Sequence, residues 1–174
     1  MTAIAEAPQG AESATEITRE AFRDGMACLA GAVNIVTTDG PGGRAGLTAS
    51  AVCAVTDEPP TLLVCVNRGS SAGPAFLENE ALCVNTVGPD HRETAMLFGG
   101  KTPMAERFSG ADWGTGPSGA PVLAGAVVSF DCRVRERSPQ GTHEVLFCEI
   151  LRIQSRPGAA GLAYFGRTFH DLEG

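Results

Sequence analysis

The stretch Arg44–Ser71, RAGLTASAVCAVTDEPPTLLVCVNRGSS, contains the pattern around which the rest of the chain is organised. Its first part consists of small and hydroxyl-bearing residues, namely Thr48, Ala49, Ser50 and Ala51. A flat ligand can lie against such a segment, because no large side chain keeps it away from the backbone. The segment therefore predicts a surface for a planar group.

The second part of this stretch predicts a strand that ends in a polar turn. Pro59 and Pro60 form a rigid break, and the continuous apolar run Leu62–Val66 that follows is typical of a buried strand. The strand ends in Asn67–Ser71 (NRGSS), where a cation stands among amide and hydroxyl donors. Donors of this kind on a tight turn predict a phosphate or anion site. A flat surface beside it indicates a nucleotide-like ligand, whereas the simpler alternative is a β-hairpin with a polar turn.

Outside this stretch, the patterns predict one domain of strands joined by hairpin turns, with few helices. Residues 1 to 14 are predicted to be a disordered tail, and residues 15–174 a single domain. A capping-box spacing at Ser13–Glu16 precedes apolar residues at helical spacing over Ile17–Leu29, which predicts a helix of roughly four turns. Further strands are predicted at 32–38, 81–87, 127–134, 145–153 and 162–169, and short helices at 74–79, 90–98 and 102–108. Strands with hairpin turns and few helices favour an antiparallel barrel.

Composition and charge exclude several classes of protein. The formal net charge is −7, so the chain lacks the domain-wide basic footprint of a nucleic-acid-binding protein. None of the six cysteines forms a C-x-x-C pair, which argues against a zinc ribbon or a thioredoxin-type centre and favours a reducing, cytoplasmic location. No apolar run approaches the roughly 18 residues that span a membrane, and the acidic N-terminus lacks the apolar segment of a signal peptide.

No conventional catalytic motif accompanies this pattern. The three histidines are His91, His143 and His170, and no serine lies in a G-x-S-x-G elbow. No His/Cys spacing predicts a metal site. His143 stands at the mouth of a predicted hairpin, although a lone histidine is more often a surface or capping residue than a catalyst. Arg167 follows the aromatic pair Tyr164–Phe165, and strand packing with a solvated arginine explains that pattern equally well.

Taken together and in order, six segments of the chain resemble the short-chain flavin reductase family. They are VNIVTT at 33–38, GLTASAVC at 46–53, DEPPTLL at 57–63, VNR at 66–68, GTH at 141–143 and YFGR at 164–167. This resemblance implies the flavin-binding split barrel, a mainly β, antiparallel Greek-key barrel with a few flanking helices. It also implies an oxidoreductase in which NADH reduces FMN, with FAD as an alternative flavin, by hydride transfer to flavin N5. The flavin carries this chemistry, so a catalytic triad or metal would be unnecessary.

The resemblance further assigns roles to individual residues. The isoalloxazine would lie along Thr48, Ala49, Ser50 and Ala51, with backbone N–H groups directed at its polar edge. The phosphate would be held by Asn67, Arg68, Ser70 and Ser71, with Lys101 or Arg107 closing the site. Contacts with the flavin ring are implied for Asn34, Asn85, Tyr164, Phe165 and Arg167. His143 would face the nicotinamide and is the implied catalytic residue.

Three further segments resemble, more narrowly, the FMN reductase component of bacterial uracil (pyrimidine) utilisation. They are FRDGMACLAGAVNIVTTDGPGGRAG at 22–46, FGGKTPMAERF at 98–108 and VSFDCRV at 128–134. This implies a partner monooxygenase that receives reduced FMN, and family members are usually homodimers. Three alternatives stay open: a reductase serving an aromatic hydroxylase, a flavin-binding module without turnover, and an enzyme resembling pyridoxamine-phosphate oxidase.

Overall fold

A computed structural model describes residues 17–174 and shows a mainly β protein with short helices. The predicted tail at 1–14 and the predicted capping box at Ser13–Glu16 lie outside the described residues. The helices are α1 (Arg19–Ala27), α2 (Gly73–Glu78), α3 (Arg92–Gly99) and α4 (Met104–Arg107), with a 3-10 turn at Pro89–His91. The strands are β1 (Gly31–Ala32), β2 (Asn34–Thr38), β3 (Ala45–Ala49), β4 (Val52–Asp57), β5 (Pro60–Asn67), β6 (Ala81–Thr86), β7 (Trp113–Thr115), β8 (Pro121–Leu123), β9 (Val128–Gln140), β10 (His143–Ser155), β11 (Gly161–Phe165) and β12 (Thr168–Leu172).

The main sheet is antiparallel and curls until its two edges meet. Its seven strands follow the order β3-β2-β6-β9-β10-β5-β4. The edge strands β3 and β4 are consecutive in the chain and are separated only by Ser50 and Ala51. A two-residue connection cannot cross a flat sheet of this width, because the strands of a sheet are about 4.8 Å apart. The sheet is therefore a barrel with a seam at Ser50–Ala51, which confirms the predicted antiparallel split barrel.

The chain changes sheets at Val33, immediately before β2. Val33 donates its N–H to the carbonyl of Leu162 (2.9 Å) and accepts from the N–H of Val87 (3.0 Å). The preceding strand β1 pairs with β11 in a separate sheet of order β1-β11-β12, whereas β2 pairs with β3. As a result, the N–H of Ser50, which immediately follows β3, has no hydrogen-bond partner among the described residues, although Gly31 of β1 lies beside its side chain. This break lies next to the seam of the barrel.

Two hydrophobic clusters lie on opposite sides of the barrel wall. The interior cluster contains the fully buried Val64, Phe76 and Leu146. The second cluster lies on the outer face of the barrel wall, beneath α3, where Phe98 packs against Trp113 (ring centroids 5.5 Å apart). Strand β5 alternates between buried and half-buried side chains, so the predicted run at Leu62–Val66 is a strand buried fully on one face only. That difference follows from the barrel, where only one face of the strand points into the interior.

Several predicted boundaries are wrong for local reasons. Helix α1 is shorter than four turns, and its N-cap is Thr18, whose hydroxyl accepts from the N–H of Ala21 (3.1 Å). The predicted strand at 162–169 is two strands, because Gly166 and Arg167 both have positive φ (57° and 64°) and form a tight turn. Helix α4 begins after Pro103, so Thr102 does not cap it as predicted. Strands β9 and β10 extend beyond the predicted ranges to a two-residue turn.

Among residues 17–174, no helix has both the length and the apolar character required to cross a membrane.

Candidate functional site

Two adjoining cavities form one groove along the seam of the barrel. Their volumes are about 480 Å³ and 350 Å³, and both are lined by Thr48, Ala49, Ser50, Gly99 and Gly100. The shared residues show that the cavities lie on either side of one floor, the end of β3, beside the C-terminal end of α3. We call the larger cavity the hairpin cavity and the smaller one the turn cavity.

The floor of the groove offers unpaired backbone donors, as the flat-ligand prediction requires. Because the chain leaves the main sheet at Val33, no strand accepts from the N–H of Ser50, and Ala51 is joined to β5 through its carbonyl, which accepts from the N–H of Cys65 (3.1 Å). Among the described residues, neither N–H of this pair donates to another group. The side chain of Thr48 is turned away and donates to the carbonyl of Ala95 in α3 (2.6 Å). A planar ligand on this floor therefore meets small side chains and free N–H groups.

Helix α3 lies close to the floor because Gly46 has no side chain. A Cβ added at Gly46 would lie 2.5 Å from the ring of Phe98, which is 1% exposed. The absence of that atom lets Phe98 pack directly on β3. The helix consequently ends at Gly99–Gly100, which form the wall of both cavities.

The Asn67–Ser71 turn presents hydrogen-bond donors to the turn cavity. Asn67 Oδ1 accepts from the N–H of Gly69 (2.9 Å), and Ser70 Oγ accepts from the N–H of Gly73 (3.0 Å). Ser71 Oγ accepts from the guanidinium of Arg107 (2.9 Å). With these oxygens already occupied by donors of the protein, the Asn67 amide N–H groups and both serine hydroxyl protons remain for a ligand. The turn is therefore suited to an anion.

The turn can fold back on itself because residue 73 is glycine. A Cβ on Gly73 would lie 2.5 Å from the carbonyl oxygen of Arg68 and 2.9 Å from that of Asn67. This close approach brings the N–H of Gly73 within reach of Ser70. The glycine thus fixes the position of the donors on this turn.

Arg107 lies beneath the turn cavity as a buried cation. It is 3% exposed, and all five of its N–H groups have partners, namely Thr102 O, Gly46 O, Phe98 O, Gly100 O and Ser71 Oγ. No carboxylate is among these partners. Its positive charge is therefore not neutralised by a direct ion pair, and in a medium of low dielectric constant such a charge favours a nearby anion.

His143 and the β11–β12 turn stand at the two ends of the groove. His143 begins β10 opposite Asn67 of β5, lines the turn cavity and has its Nδ1 3.0 Å from Thr142 Oγ1. Tyr164 and Arg167 line the hairpin cavity. The Arg167 guanidinium hydrogen-bonds to Asp24 of α1 (2.5 Å), and this bond raises the pKa of Arg167 above its ordinary value. Arg167 therefore stays charged throughout the neutral range.

The groove brings together most of the residues implied by the sequence. They are Thr48, Ala49, Ser50, Ala51, Asn67, Ser70, Ser71, Arg107, His143, Tyr164 and Arg167. Of these, Arg107 differs from expectation, because its donors are used within the protein and it supports the site from below rather than closing it.

The two asparagines that were expected to contact the flavin ring, Asn34 and Asn85, lie outside the groove. Asn85 is 0% exposed and bonds to Leu123 N and Ser129 Oγ, both at 2.9 Å. Asn34 is also buried, and its amide donates to the carbonyl of Ala49 (3.2 Å). Both side chains are held by hydrogen bonds within the protein and line neither cavity.

Three exposed residues of the implied set also fail to line either cavity. The Arg68 guanidinium donates to the carbonyl of Gly141 and lies 4.0 Å from Glu144, so it fastens the turn to the β9–β10 hairpin. Lys101 comes directly after Gly100 in the chain but lines neither cavity. Phe165 is 45% exposed on the β11–β12 hairpin and also lies outside both cavities. Their implied contacts are not reproduced by the groove.

Sequence reasoning missed the apolar and glycine walls. Val33, Ala95, Met96, Gly99, Gly100 and Phe169 line the hairpin cavity, and Leu47, Cys65, Ala72 and Phe98 line the turn cavity. The consecutive glycines at 99–100 were a local indication that a ligand could approach the backbone closely at this wall. Among residues 17–174, no group of three or more His, Cys, Asp or Glu side chains is arranged to hold a metal ion.

Comparison with known proteins identifies relatives that share this architecture. The flavin reductase like domain model matches residues 26–173. The chain is 54% identical over 169 residues to the FMN reductase (NADH) RutF of Stutzerimonas stutzeri A1501, covering 97% of both chains. It is 55% identical over 156 residues to the Escherichia coli K12 / DH10B protein of the same name, covering 90% of this chain and 95% of that one.

Solved structures agree with the same assignment. A Haemophilus somnus 129PT protein described as a flavin reductase superposes with a TM-score of 0.86 and 42% identity, covering 89% of this chain and 99% of that one. The Streptomyces globisporus NADH:FAD oxidoreductase SgcE6, solved with NAD and FAD fragments, gives a TM-score of 0.82 and 25% identity, covering 92% and 96%. From its barrel, its groove and these matches, we conclude that the chain belongs to the flavin reductase like domain family.

Proposed function

We propose that the protein is an NADH-dependent FMN reductase. The observation that carries this proposal is the groove itself, in which a floor with free backbone N–H groups adjoins a turn whose side chains can donate to an anion. FMN has this shape and charge distribution, with a planar ring at one end and a phosphate at the other. The relatives named FMN reductase (NADH) support the choice of FMN and NADH.

Each part of the groove has a role in this proposal. Bound FMN supplies the redox chemistry, since its ring accepts a hydride from NADH. Asn67, Ser70 and Ser71 hold the phosphate, and the floor at Ser50–Ala51 directs N–H groups at the polar edge of the ring, where reduction increases negative charge. His143 orients the nicotinamide.

The hairpin cavity provides the second half of the binding site. Its walls combine the apolar Val33 and Phe169 with the cation of Arg167. The apolar walls can face the ring of a dinucleotide, with the Arg167 guanidinium, which is bonded to Asp24, beside it.

The direct test measures NADH oxidation by the purified protein, with FMN present or omitted. The reaction is monitored through the loss of NADH absorbance. Turnover that saturates with added FMN supports a reductase that releases its flavin. Protein that binds FMN but does not oxidise NADH contradicts the proposal and indicates a flavin-binding module.

The proposal extends to a partner enzyme and to the cellular compartment. The protein supplies reduced FMN to a separate monooxygenase in pyrimidine (uracil) degradation, as the narrower sequence resemblance suggests. Its six free cysteines are consistent with a reducing, cytoplasmic compartment. In a mixture with a purified pyrimidine monooxygenase, we expect uracil to be consumed in a reaction that requires both NADH and FMN. Consumption of a phenol with an aromatic hydroxylase, without loss of uracil, would instead indicate a reductase that serves the hydroxylase.

We also propose that residues 15–174 form one domain that assembles as a homodimer. Helix α1 is amphipathic, yet it buries none of its residues, and Phe22 is 60% exposed. Strand β4 is an edge strand with Val55 exposed. A second copy covering these surfaces would bury them. Light scattering should give twice the chain mass of 17.9 kDa, and a monomeric mass would contradict this proposal.

A further inference from the structure

A third cavity, of about 400 Å³, lies on the surface of the barrel and is separate from the groove. The β7–β8 hairpin bounds it on one side and the C-terminal end of β10 on the other. It shares no lining residue with the hairpin cavity or the turn cavity. We call it the arginine cavity, because Arg152 and Arg156 both line it. The function proposed for the groove gives this cavity no role.

The arginine cavity carries positive charge that the described residues leave largely unneutralised. Its lining includes no Asp or Glu, and the Arg152 side chain forms no ion pair or hydrogen bond with another residue of 17–174. Arg156 lies 3.9 Å from Asp90, whose side chain is 77% exposed, so water weakens that pair. Asp131, opposite Arg152 in the β9–β10 pairing, is buried and accepts from the N–H and hydroxyl of Ser118. The cavity therefore attracts anions in a chain whose formal net charge is −7.

Neutral donors and an apolar wall complete the lining of the arginine cavity. Gln154 stands two residues after Arg152 on β10, so both side chains leave the same face of the strand. The hydroxyl of Ser155 also lines the cavity, and neither Gln154 nor Ser155 has a side-chain hydrogen bond within the described part of the chain. The hairpin supplies the apolar Val122 and Leu123. An apolar wall with a few polar groups is the usual lining of a small-molecule site.

We propose that the arginine cavity binds a small organic anion, in which an apolar body carries one carboxylate or phosphate group. A guanidinium recognises either oxyanion through two parallel N–H···O bonds. Arg152 is the main contact because its donors are free, whereas Arg156 is shared with Asp90. The apolar body of the ligand lies against Val122 and Leu123 of the hairpin.

The test is isothermal titration calorimetry in phosphate-free buffer with benzoate, phenyl phosphate and benzamide. The three probes share one aromatic ring and differ in carrying a carboxylate, a phosphate or a neutral amide. At least one of the two anions should bind about tenfold or more tightly than benzamide, because hydrogen bonds to charged groups are the stronger ones. The tighter anion identifies the oxyanion that the cavity prefers, and equal binding of benzamide would overturn the proposal.

Variants locate the bound probe in the arginine cavity. Arg152→Gln should raise the Kd of the preferred anion by about tenfold or more. Ala124→Glu should weaken binding as well, since Ala124 is exposed and lines the cavity, where the new carboxylate repels an anion. Arg133→Gln is the matched control, because Arg133 is an exposed arginine of β9 that lines none of the three cavities. Unchanged binding in both cavity variants, or an equal loss in Arg133→Gln, would overturn the proposal.

A second titration, with FMN at saturating concentration, separates this site from the groove. The Kd of the preferred anion should be the same with and without FMN, and a Kd that rises with FMN would place the probe in the groove and refute the proposal. The titrations need no turnover. Anion binding at the arginine cavity in a protein that never oxidises NADH would refute only the reductase proposal.

Discussion

Replacement of Gly73 by alanine tests whether the close approach of the Asn67–Ser71 turn fixes the anion site. The new Cβ would lie 2.5 Å from the carbonyl oxygen of Arg68. Since carbon and oxygen normally stay about 3.3 Å apart even in favourable contacts, the two must separate by about 0.8 Å. Both atoms belong to main-chain positions, so no side-chain rotation relieves the contact.

The magnitude follows from the bonds that hold this turn. Arg68 donates its N–H to Thr142 O (3.1 Å), and the N–H of Gly73 bonds to Ser70. A displacement of this size takes both beyond hydrogen-bonding distance, at about 0.5–1.5 kcal/mol each, and overpacking adds about 1–3 kcal/mol. A total of about 2–6 kcal/mol corresponds to a Tm lower by about 4–24 °C in a domain of this size.

The assay combines thermal unfolding with fluorescence titration of FMN. Because the serine donors move with the turn, the Kd for FMN should rise by about tenfold or more. Gly69→Ala is the matched control in the same turn, where the nearest atom to an added Cβ is Asn67 Oδ1 at 3.4 Å. If Gly73→Ala keeps the wild-type Tm and affinity, or if Gly69→Ala is equally damaging, the reasoning is refuted.

Three further predictions follow from the site and the core. His143→Ala should raise KM for NADH more than it weakens FMN binding, and an unchanged KM with lost flavin binding would contradict its assignment. Gly46→Ala should lower Tm and disturb the groove by displacing Phe98, whereas Gly114→Ala, whose Cβ would have no neighbour closer than 3.9 Å, should not. Burial raises the pKa of four thiols, those of Cys65, Cys83, Cys132 and Cys148, and it raises that of Cys148 to about 12. Because the folded state then keeps protons that the unfolded state loses, urea stability should fall above about pH 8.5 by up to about 1.4 kcal/mol per thiol per pH unit, and a flat profile would contradict this.

The parts of the fold that could be predicted from the sequence depend on local patterns. Alternating side chains in β9 predicted a strand correctly, because one face of the strand packs inside the barrel, and the polar end of β5 predicted the turn at Asn67–Ser71. The small residues at 48–51 likewise indicated the floor. Family resemblance then added His143 and Arg167, for which spacing alone gave no preference over ordinary surface roles.

The rest depends on partners distant in the sequence. Asn85 resembles an exposed polar strand residue until β8 and β9 surround it, and Arg107 resembles an exposed helical cation until Gly46, Phe98 and Ser71 supply its partners. The Gly166–Arg167 turn was missed because positive φ at arginine is uncommon and has no sequence pattern. The roles of Asn85 and Arg107 are thus set largely by contacts tens of residues away, whereas the Gly166–Arg167 turn is a local backbone feature.

The position of the groove follows from the topology rather than from any single motif. A barrel whose edge strands are joined by two residues must have a seam there, and the change of sheets at Val33 removes the strand that would otherwise pair with Ser50. Unpaired N–H groups are costly unless water or a ligand accepts from them. The same break that leaves them unpaired also opens the space beside Gly99–Gly100 in which a planar ligand can lie. The groove therefore lies where the barrel is split, at the seam between its two edge strands.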